Sequence, residues 1–151
     1  MTSHYRIPQS ALTVVYNCAG LVLVMQRNDD PEFWQSVTGT LEQGERPIET
    51  ALREVLEETS IDITQSAYRL IDCQKINTYE IRDRWKHRYP PGTPYNTEHV
   101  FAVEVADEQV IELTEHSAYS WLDKPSAMQK VWSDTNREAI SLYVPDANLS
   151  T

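Results

Sequence analysis

The segment GTLEQGERPIETALREVLEETSI runs from Gly39 to Ile61 and carries the strongest structural signal in the chain. Pro47 suits the first turn of a helix, where its missing amide proton would have no intrahelical partner in any case. After it, small and apolar side chains recur at the spacing of a helix that packs one face on a sheet; they are Ile48, Ala51, Leu52, Val55 and Thr59. The segment therefore predicts a helix from Pro47 to about Thr59.

Three glutamates share one side of this predicted helix. At about 100° per residue, Glu54, Glu57 and Glu58 lie roughly 120° from the centre of the apolar face, so we expect them to point away from the core together. Like charges at this spacing destabilise a helix by roughly 0.2–0.5 kcal/mol per pair, and Arg53 offsets only part of that. A hard cation such as Mg²⁺, which prefers oxygen ligands, would balance the rest. The alternative is an ordinary amphipathic helix with solvated glutamates.

Upstream of the helix, two β-rich runs cover residues 11–16 and 21–26, separated by a short turn with Gly20 at its end. This pattern predicts a hairpin of buried strands. A further short strand is expected from Phe33 to Thr38, after the break signal Asp29-Asp30-Pro31 and before Gly39.

Downstream, residues 68–76 and 99–105 have the composition of strands, and a last helix is expected from Asp134 to Tyr143. Short strands mixed with two helices indicate an α/β or α+β sandwich in which helices cover a mixed sheet. No repeat or linker interrupts the sequence, and the length suits one domain over residues 1–151.

The charge balance argues against two classes of partner. The chain has 23 acidic and 13 basic residues, a net charge of −10, which repels nucleic acid polymers and anionic membranes. The longest apolar run, Leu21 to Met25, is far short of a membrane span. Cys18 and Cys73 lack the close spacing of a metal site and are expected to be free, buried thiols. These features predict a cytoplasmic protein without nucleic acid or membrane partners.

The spacing of Gly39, five residues, Glu45, seven residues and then the run from Arg53 to Ile61 resembles the Nudix box. That resemblance implies a Nudix-type α/β/α sandwich, a mixed β-sheet flanked by helices, in which the box at residues 39–61 forms a strand-loop-helix-loop catalytic segment. It also implies hydrolysis of a diphosphate linkage assisted by Mg²⁺, with Mn²⁺ as the alternative metal.

The same resemblance assigns the metal ligands and catalytic carboxylates. They would be Glu54, Glu57 and Glu58 on the helix, joined by Glu115 from a polar turn later in the chain. Glu98 is a weaker candidate for the fourth carboxylate, and the alternative for Glu115 is a solvated surface acid. A general base must reach the attacking water, and Glu57 and Glu115 both stay open for that role.

Other box residues support these carboxylates. By resemblance, Arg53 belongs to the catalytic set and would orient a neighbouring glutamate, Glu45 would brace the loop, and Gly39 would let the loop backbone approach the metal or a phosphate. Ser60 departs from the pattern, because the family usually has glycine just beyond the helix. A non-glycine residue in the left-handed conformation costs roughly 1–2 kcal/mol, so the geometry of this turn is in question.

Phosphate oxygens also need hydrogen-bond donors, and basic residues are scarce in this chain. Arg6 and Arg27 flank predicted strands that lead towards the box, and the resemblance places further substrate contacts at Thr38 and Ser133. Ordinary surface placement is the alternative for each.

A basic and aromatic segment lies between Tyr79 and Tyr95. Two hypotheses account for it: a solvated loop, or a mobile flap that closes on a triphosphate and stacks an aromatic ring on a heterocycle. Its interleaved residues are Arg82, Arg84, Trp85, Lys86, Arg88 and Tyr89. Trp34, by contrast, is assigned to the core.

Further stretches resemble the branch of the Nudix family that acts on a pterin triphosphate; they are residues 29–39, 87–89, 96–98 and 114–122. This resemblance implies hydrolysis of dihydroneopterin triphosphate, a small molecule, to its monophosphate and pyrophosphate in folate biosynthesis. Two alternatives stay open: a Nudix pyrophosphohydrolase of (deoxy)nucleoside triphosphates, and a Nudix-fold module that binds a nucleotide without cutting it.

Overall fold

The computed structural model describes residues 5–114 and 116–146, in which helices cover both faces of a mixed sheet. Seven strands lie in these ranges: β1 (Gln9–Asn17), β2 (Val22–Arg27), β3 (Trp34–Gln35), β4 (Val37–Thr40), β5 (Leu70–Glu80), β6 (Tyr95–Val105) and β7 (His116–Leu122). The helices are α1 (Pro47–Thr59), α2 (Lys124–Lys130) and α3 (Asp134–Tyr143), and a 3₁₀ helix covers Asp83–Arg88. The predicted α/β/α sandwich is confirmed.

The sheet splits along β1. The main path of strands is β3-β2-β1-β6-β5, with β1 and β6 parallel. Near its end β1 pairs with β2 at Tyr16 and Val22, but near its beginning, from Ser10 to Thr13, it pairs with β4 instead. Meanwhile β2 pairs with β3 and β7. The strands on either side of this division therefore diverge and leave room for a cleft.

Alternating side chains of the central strands feed two cores, one on each face of the sheet. On one face, Val15 of β1 and Val103 of β6 pack with Val55 of α1. On the other, Leu12 and Val14 pack with Ala127 of α2, with Val131 just beyond that helix, and with Ala139 and Ile140 of α3. The near-continuous apolarity of β1 is explained by this burial on both faces.

Helix α1 begins and ends where the sequence predicts. Pro47 occupies its first turn, and the carboxylate of Glu49 accepts a hydrogen bond from the backbone N–H of Arg46 at 2.8 Å. At the other end Ser60 adopts the left-handed conformation, with φ of 66°. Its backbone N–H bonds the carbonyl of Leu56 at 2.9 Å, and its Oγ donates to the carbonyl of Glu112 at 3.1 Å. The turn is thus built without the glycine, at the expense of strained backbone.

Two other predictions need correction. The strand expected from Phe33 to Thr38 is two strands, because the chain changes its pairing partner from β2 to β1 at Ser36. At that point the backbone N–H of Ser36 bonds the side chain of Asn136 at 2.9 Å rather than a strand. The sequence also gave no signal for β7, α2 or the 3₁₀ helix. The hairpin of β1 and β2 and the helix Asp134–Tyr143 are confirmed.

The two cysteines are free, as predicted, but Cys18 is exposed and Cys73 only half-buried. The expectation that both thiols are buried was wrong, since Cys18 lies just after β1 in the turn that leads to β2. Across the described residues, no helix combines the length and the apolarity that a membrane crossing requires.

Candidate active site

A cavity of about 800 Å³ lies in the cleft of the split sheet. Its walls come from almost every element: β1, β2, β3, β4, β5, β6, β7, α1, the 3₁₀ helix and the beginning of α3. The volume is in the range of small-molecule binding sites. It brings together side chains that are far apart in sequence.

Gly39 and Glu54 are one such pair. A Cβ atom at Gly39 would overlap the side chain of Glu54, including its carboxylate carbon. Gly39 is therefore required because Glu54 occupies the space above its Cα. This contact gives a structural reason for the glycine, and its expected role of letting the loop backbone approach a metal or a phosphate stays a prediction.

Arg53 holds the acidic residues of the segment in place. Its Nε and one terminal nitrogen bond both carboxylate oxygens of Glu45 at 2.8 Å each. The other terminal nitrogen bonds Glu54 and lies 3.2 Å from Glu57. This hydrogen bonding lowers the pKa of Glu45 to about 2 and raises that of Arg53. Arg53 thus contacts the neighbouring glutamates and Glu45 bonds the helix from the loop, and their roles as an orienting residue and a brace stay predictions.

Glu58 is almost fully buried, with 1% of its surface exposed. The ring of His116, on β7, lies beside it, with Nε2 3.8 Å from a carboxylate oxygen. Burial, and then the positive charge of Arg27, lower the pKa of His116 below its usual value, so the imidazole is neutral near pH 7. His116, which the sequence analysis did not single out, lines the cavity because it lies at the beginning of β7.

The prediction that the three glutamates of α1 point away from the core together was wrong for two of them. Thr50, Glu54 and Glu58, four residues apart, form a buried polar stripe along the helix, whereas Glu57 is exposed. Glu54 and Glu58 line the cavity, and Glu57 accepts a hydrogen bond from Arg53, which also lines it. The angular spacing along the helix correctly separates these glutamates from the apolar face. It could not show that residues of β4 and β7 lie over the glutamate side of the helix.

The four predicted substrate-binding residues, Arg6, Arg27, Thr38 and Ser133, all line this cavity. Arg27 is held there by both oxygens of Asp29, at 2.7 Å each. This pairing lowers the pKa of Asp29 to about 2. Ser133 caps α3 by accepting the backbone N–H of Asn136 at 3.1 Å. The tertiary structure thus brings these four residues, which are far apart in the sequence, to one cavity.

An aromatic cluster forms another wall and joins three distant segments. Phe33 stacks on Trp132 with ring centroids 4.9 Å apart, and Trp85 of the 3₁₀ helix meets the edge of that pair at 5.5–6.0 Å. Arg84 and Arg88 tie the same segment to Asp30 and Asp29. The basic segment is therefore a docked turn at the cavity, and the hypothesis that it moves as a flap stays a prediction. Trp34 packs on the core, as expected.

A polar floor, which the sequence did not predict as a unit, lies where β1, β5 and β6 run side by side. Glu98 pairs with Ser10 on one side and Asn77 on the other. Next to it, buried Asn96 donates to Ser10 and to Tyr79, at 2.8 Å and 3.0 Å. Burial raises the pKa of Tyr79 to about 12. The strand predicted over residues 99–105 begins earlier, at Tyr95, and this extension places Asn96 and Glu98 on β6.

The carboxylate region fits a divalent cation by its chemistry, although its ligands are not gathered. Among residues 5–114 and 116–146, no three acidic, histidine or cysteine side chains converge closely enough to hold a metal. Glu115 falls outside the described residues. Glu54 and Glu58 nevertheless supply buried carboxylate oxygens to one cavity, and such oxygens are what Mg²⁺ and Mn²⁺ prefer.

Comparison of the chain with known proteins shows the family to which it belongs. The model of the NUDIX domain matches residues 6–143. The chain is 46% identical to the dihydroneopterin triphosphate diphosphatase of Escherichia coli (strain K12), over 95% of this chain and 96% of that protein. It is 40% identical to the protein of the same name from Haemophilus influenzae, over 93% of this chain and 89% of that one.

A solved structure gives the same result. The structure of the E. coli dihydroneopterin triphosphate pyrophosphohydrolase superposes with a TM-score of 0.90 at 45% identity, covering 94% of this chain and 98% of that one. The family match spans the glutamate helix, the split sheet and all the residues that line the cavity. On these grounds the chain belongs to the NUDIX domain family and is a Nudix hydrolase.

Proposed function

We propose that the protein hydrolyses dihydroneopterin triphosphate to its monophosphate and pyrophosphate, as a step of folate biosynthesis. Similarity over nearly the full length to two enzymes of that name supports this substrate. The observation that carries the proposal is one cavity that joins the carboxylates Glu54 and Glu58 to the aromatic wall of Trp85 and Trp132. Such a cavity offers polar groups for a triphosphate and flat surfaces for a heterocycle.

Nudix hydrolases generally use divalent metals. For this chain we propose Mg²⁺, with Mn²⁺ as the alternative, held by Glu54, Glu57, Glu58 and Glu115. When bound, the cation would neutralise phosphate charge and lower the pKa of an attacking water. The carboxylates of Glu54 and Glu58 support the proposal, because both line one cavity and carboxylate oxygens are the ligands that Mg²⁺ and Mn²⁺ prefer.

The remaining residues would act by binding and orientation. Arg53 holds the Glu54 carboxylate over Gly39, so that its oxygens face the cavity in one orientation. Arg6, Arg27, Thr38 and Ser133 would donate hydrogen bonds to phosphate oxygens. For the general base, Glu57 and Glu115 stay as alternatives. We further propose a single domain over residues 1–151, acting in the cytoplasm on small molecules, with neither nucleic acid polymers nor membranes as partners.

The test is pyrophosphate release from a panel that contains dihydroneopterin triphosphate and the common nucleoside triphosphates. We expect kcat/KM for the pterin to exceed that for each nucleotide by more than tenfold. A smaller preference would favour a general nucleoside triphosphate pyrophosphohydrolase, and no release from any substrate would favour a binding module.

The metal requirement is tested with the same assay. Chelation with EDTA should abolish activity, and added Mg²⁺ should restore it. Glu58→Gln should lower kcat by two or more orders of magnitude and weaken Mn²⁺ binding measured by electron paramagnetic resonance. Glu104→Gln is the matched control, since Glu104 is an exposed carboxylate outside the cavity lining. Full activity of Glu58→Gln would contradict the metal assignment.

A further inference from the structure

Glu98 is a buried carboxylate in the cavity wall to which the proposed hydrolysis assigns no task. It lies in the middle of the sheet on β6, with only 4% of its surface exposed, and it faces the cavity. Its strand neighbours Ser10 and Asn77 and the α3 residue Thr135 surround it. No lysine or arginine among the described residues forms an ion pair with it within 4 Å.

Keeping a carboxylate at this position is unfavourable for folding. Burial raises the pKa of Glu98, and hydrogen bonding from Thr135 and Asn77 only partly opposes that effect. A glutamine would have nearly the same shape and could accept the same hydrogen bonds without a desolvated charge. A buried charge that a neutral side chain could replace at lower cost is a mark of a functional group.

Within the part of the chain that the structure describes, the hydrogen bonds to this carboxylate leave some of its accepting capacity unused. Asn77 donates to its Oε1 at 3.2 Å, and Thr135 supplies a second hydrogen bond. An ionised carboxylate has about four acceptor positions on two oxygens. About two positions therefore remain for donors that enter from the cavity.

We propose that Glu98 selects the heterocycle of the substrate by accepting two parallel hydrogen bonds from adjacent N–H donors of a 2-amino-4-oxopyrimidine ring. The inference rests on the proposed pterin substrate and specifies which group recognises its ring. A pterin presents its ring N–H and its amino group side by side, and a carboxylate matches such a pair with both oxygens. The aromatic wall of Trp85 and Trp132 belongs to the same cavity and would cover flat surface of the bound ring.

This geometry makes a prediction about bases other than pterin. Guanine carries the same pair of adjacent donors, whereas hypoxanthine lacks the amino group and adenine lacks both donors on that edge. A site that hydrogen-bonds a donor pair discriminates strongly against analogues in which a donor is missing. Wild-type protein should therefore prefer dGTP to dITP, and dITP to dATP, among nucleotides of equal charge.

The experiment measures kcat/KM for dihydroneopterin triphosphate, dGTP, dITP and dATP, or the inhibition constant of any triphosphate that is not turned over. Wild-type protein is compared with Glu98→Gln, in which an amide N–H₂ group would oppose a substrate donor. We expect losses on the order of 10- to 100-fold for the pterin and dGTP, mainly in KM, and little change for dATP. Glu104→Gln, an exposed carboxylate on the same strand, is the control and should change none of these values.

Equal losses on all four substrates would overturn the inference and indicate a role of Glu98 in metal binding or folding. An unchanged preference for dGTP over dITP in Glu98→Gln would also overturn the inference. Equal kcat/KM of the wild type for dGTP and dITP would overturn it without any variant. The proposed function fails separately, if wild-type protein does not hydrolyse dihydroneopterin triphosphate. In that case the comparison of dGTP with dITP still tests the role of Glu98.

Discussion

The carboxylate of Glu54 occupies the space in which a side chain at Gly39 would lie. Strand β4 and helix α1 therefore approach each other at a point where only glycine fits. The orientation of Glu54 depends on this contact and on the hydrogen bond from Arg53.

Gly39→Ala should displace Glu54 and lower kcat by tenfold or more, because a catalytic carboxylate that moves by about 1 Å loses much of its effect. Steady-state kinetics on dihydroneopterin triphosphate measure the loss. Gly92→Ala is the control: Gly92 has a positive φ of 82°, but no atom lies near its added methyl group. It should cost about 1 kcal/mol of stability from backbone strain and leave kcat unchanged. Normal activity of Gly39→Ala would contradict the role of this contact.

The ion pair of Glu45 and Arg53 makes stability depend on pH. The pKa of Glu45 is lowered to about 2 in the folded protein from 4.5, so this contribution is present above pH 4.5 and is lost as the pH falls towards 2. It amounts to about 3 kcal/mol at most. Urea unfolding should show that Glu45→Gln is less stable than wild type at pH 7, with a smaller difference at pH 3.

Glu42→Gln serves as the control for that measurement, because the Glu42 side chain is 67% exposed and lies 3.7 Å from Arg53. An exposed pair of this kind contributes about 1 kcal/mol or less. A difference between wild type and Glu45→Gln that stays constant from pH 7 to pH 3 would disprove the electrostatic explanation.

At position 60, just beyond α1, glycine should be more favourable than alanine, as is usual where a helix ends in the left-handed conformation. Its φ of 66° is strained for any residue with a Cβ, and its Oγ bonds the carbonyl of Glu112. Ser60→Ala keeps the strain and loses the hydrogen bond, whereas Ser60→Gly loses the hydrogen bond but relieves the strain. Thermal or urea unfolding should find the glycine variant more stable than the alanine variant by about 1 kcal/mol. Equal stability would mean that the turn relaxes in solution.

Substitution of Trp85 measures how much the aromatic wall contributes to substrate binding. Trp85→Ala should raise KM for dihydroneopterin triphosphate by about 3- to 10-fold through lost stacking, with a smaller change in kcat, and Trp85→Phe should recover most of the affinity. Tyr95→Ala removes an aromatic ring that is 56% exposed and should leave KM unchanged. An unaltered KM in Trp85→Ala would assign this residue to packing against Phe33 and Trp132 alone.

Local sequence patterns predicted much of the secondary structure, because helices and hairpins depend on residues that are close together in the sequence. Helix α1 follows from Pro47 and the spacing of Ala51 and Val55, and the hairpin of β1 and β2 follows from two apolar runs and Gly20. The box spacing identified Glu54, Glu58 and Arg53 as a group before any contact was known. The missing glycine at Ser60 correctly marked a strained turn.

Contacts between distant segments explain what was missed. Burial of Glu54 and Glu58 requires β4 and β7 to cover α1, and the aromatic wall requires Phe33, Trp85 and Trp132 to meet. The buried position of Glu98 depends on its two neighbouring strands. None of these contacts produces a periodic pattern in the sequence, because each depends on strand pairing between segments that are many residues apart.

By itself, then, the sequence determined the helix, its charged residues and the chemistry that they favour, because side-chain spacing and residue type are properties of one segment. Only the tertiary structure decided which of these charges are buried and which face a common cavity. Burial sets the cost of a charge and the strength of its hydrogen bonds, and it depends on what the rest of the chain places above each residue.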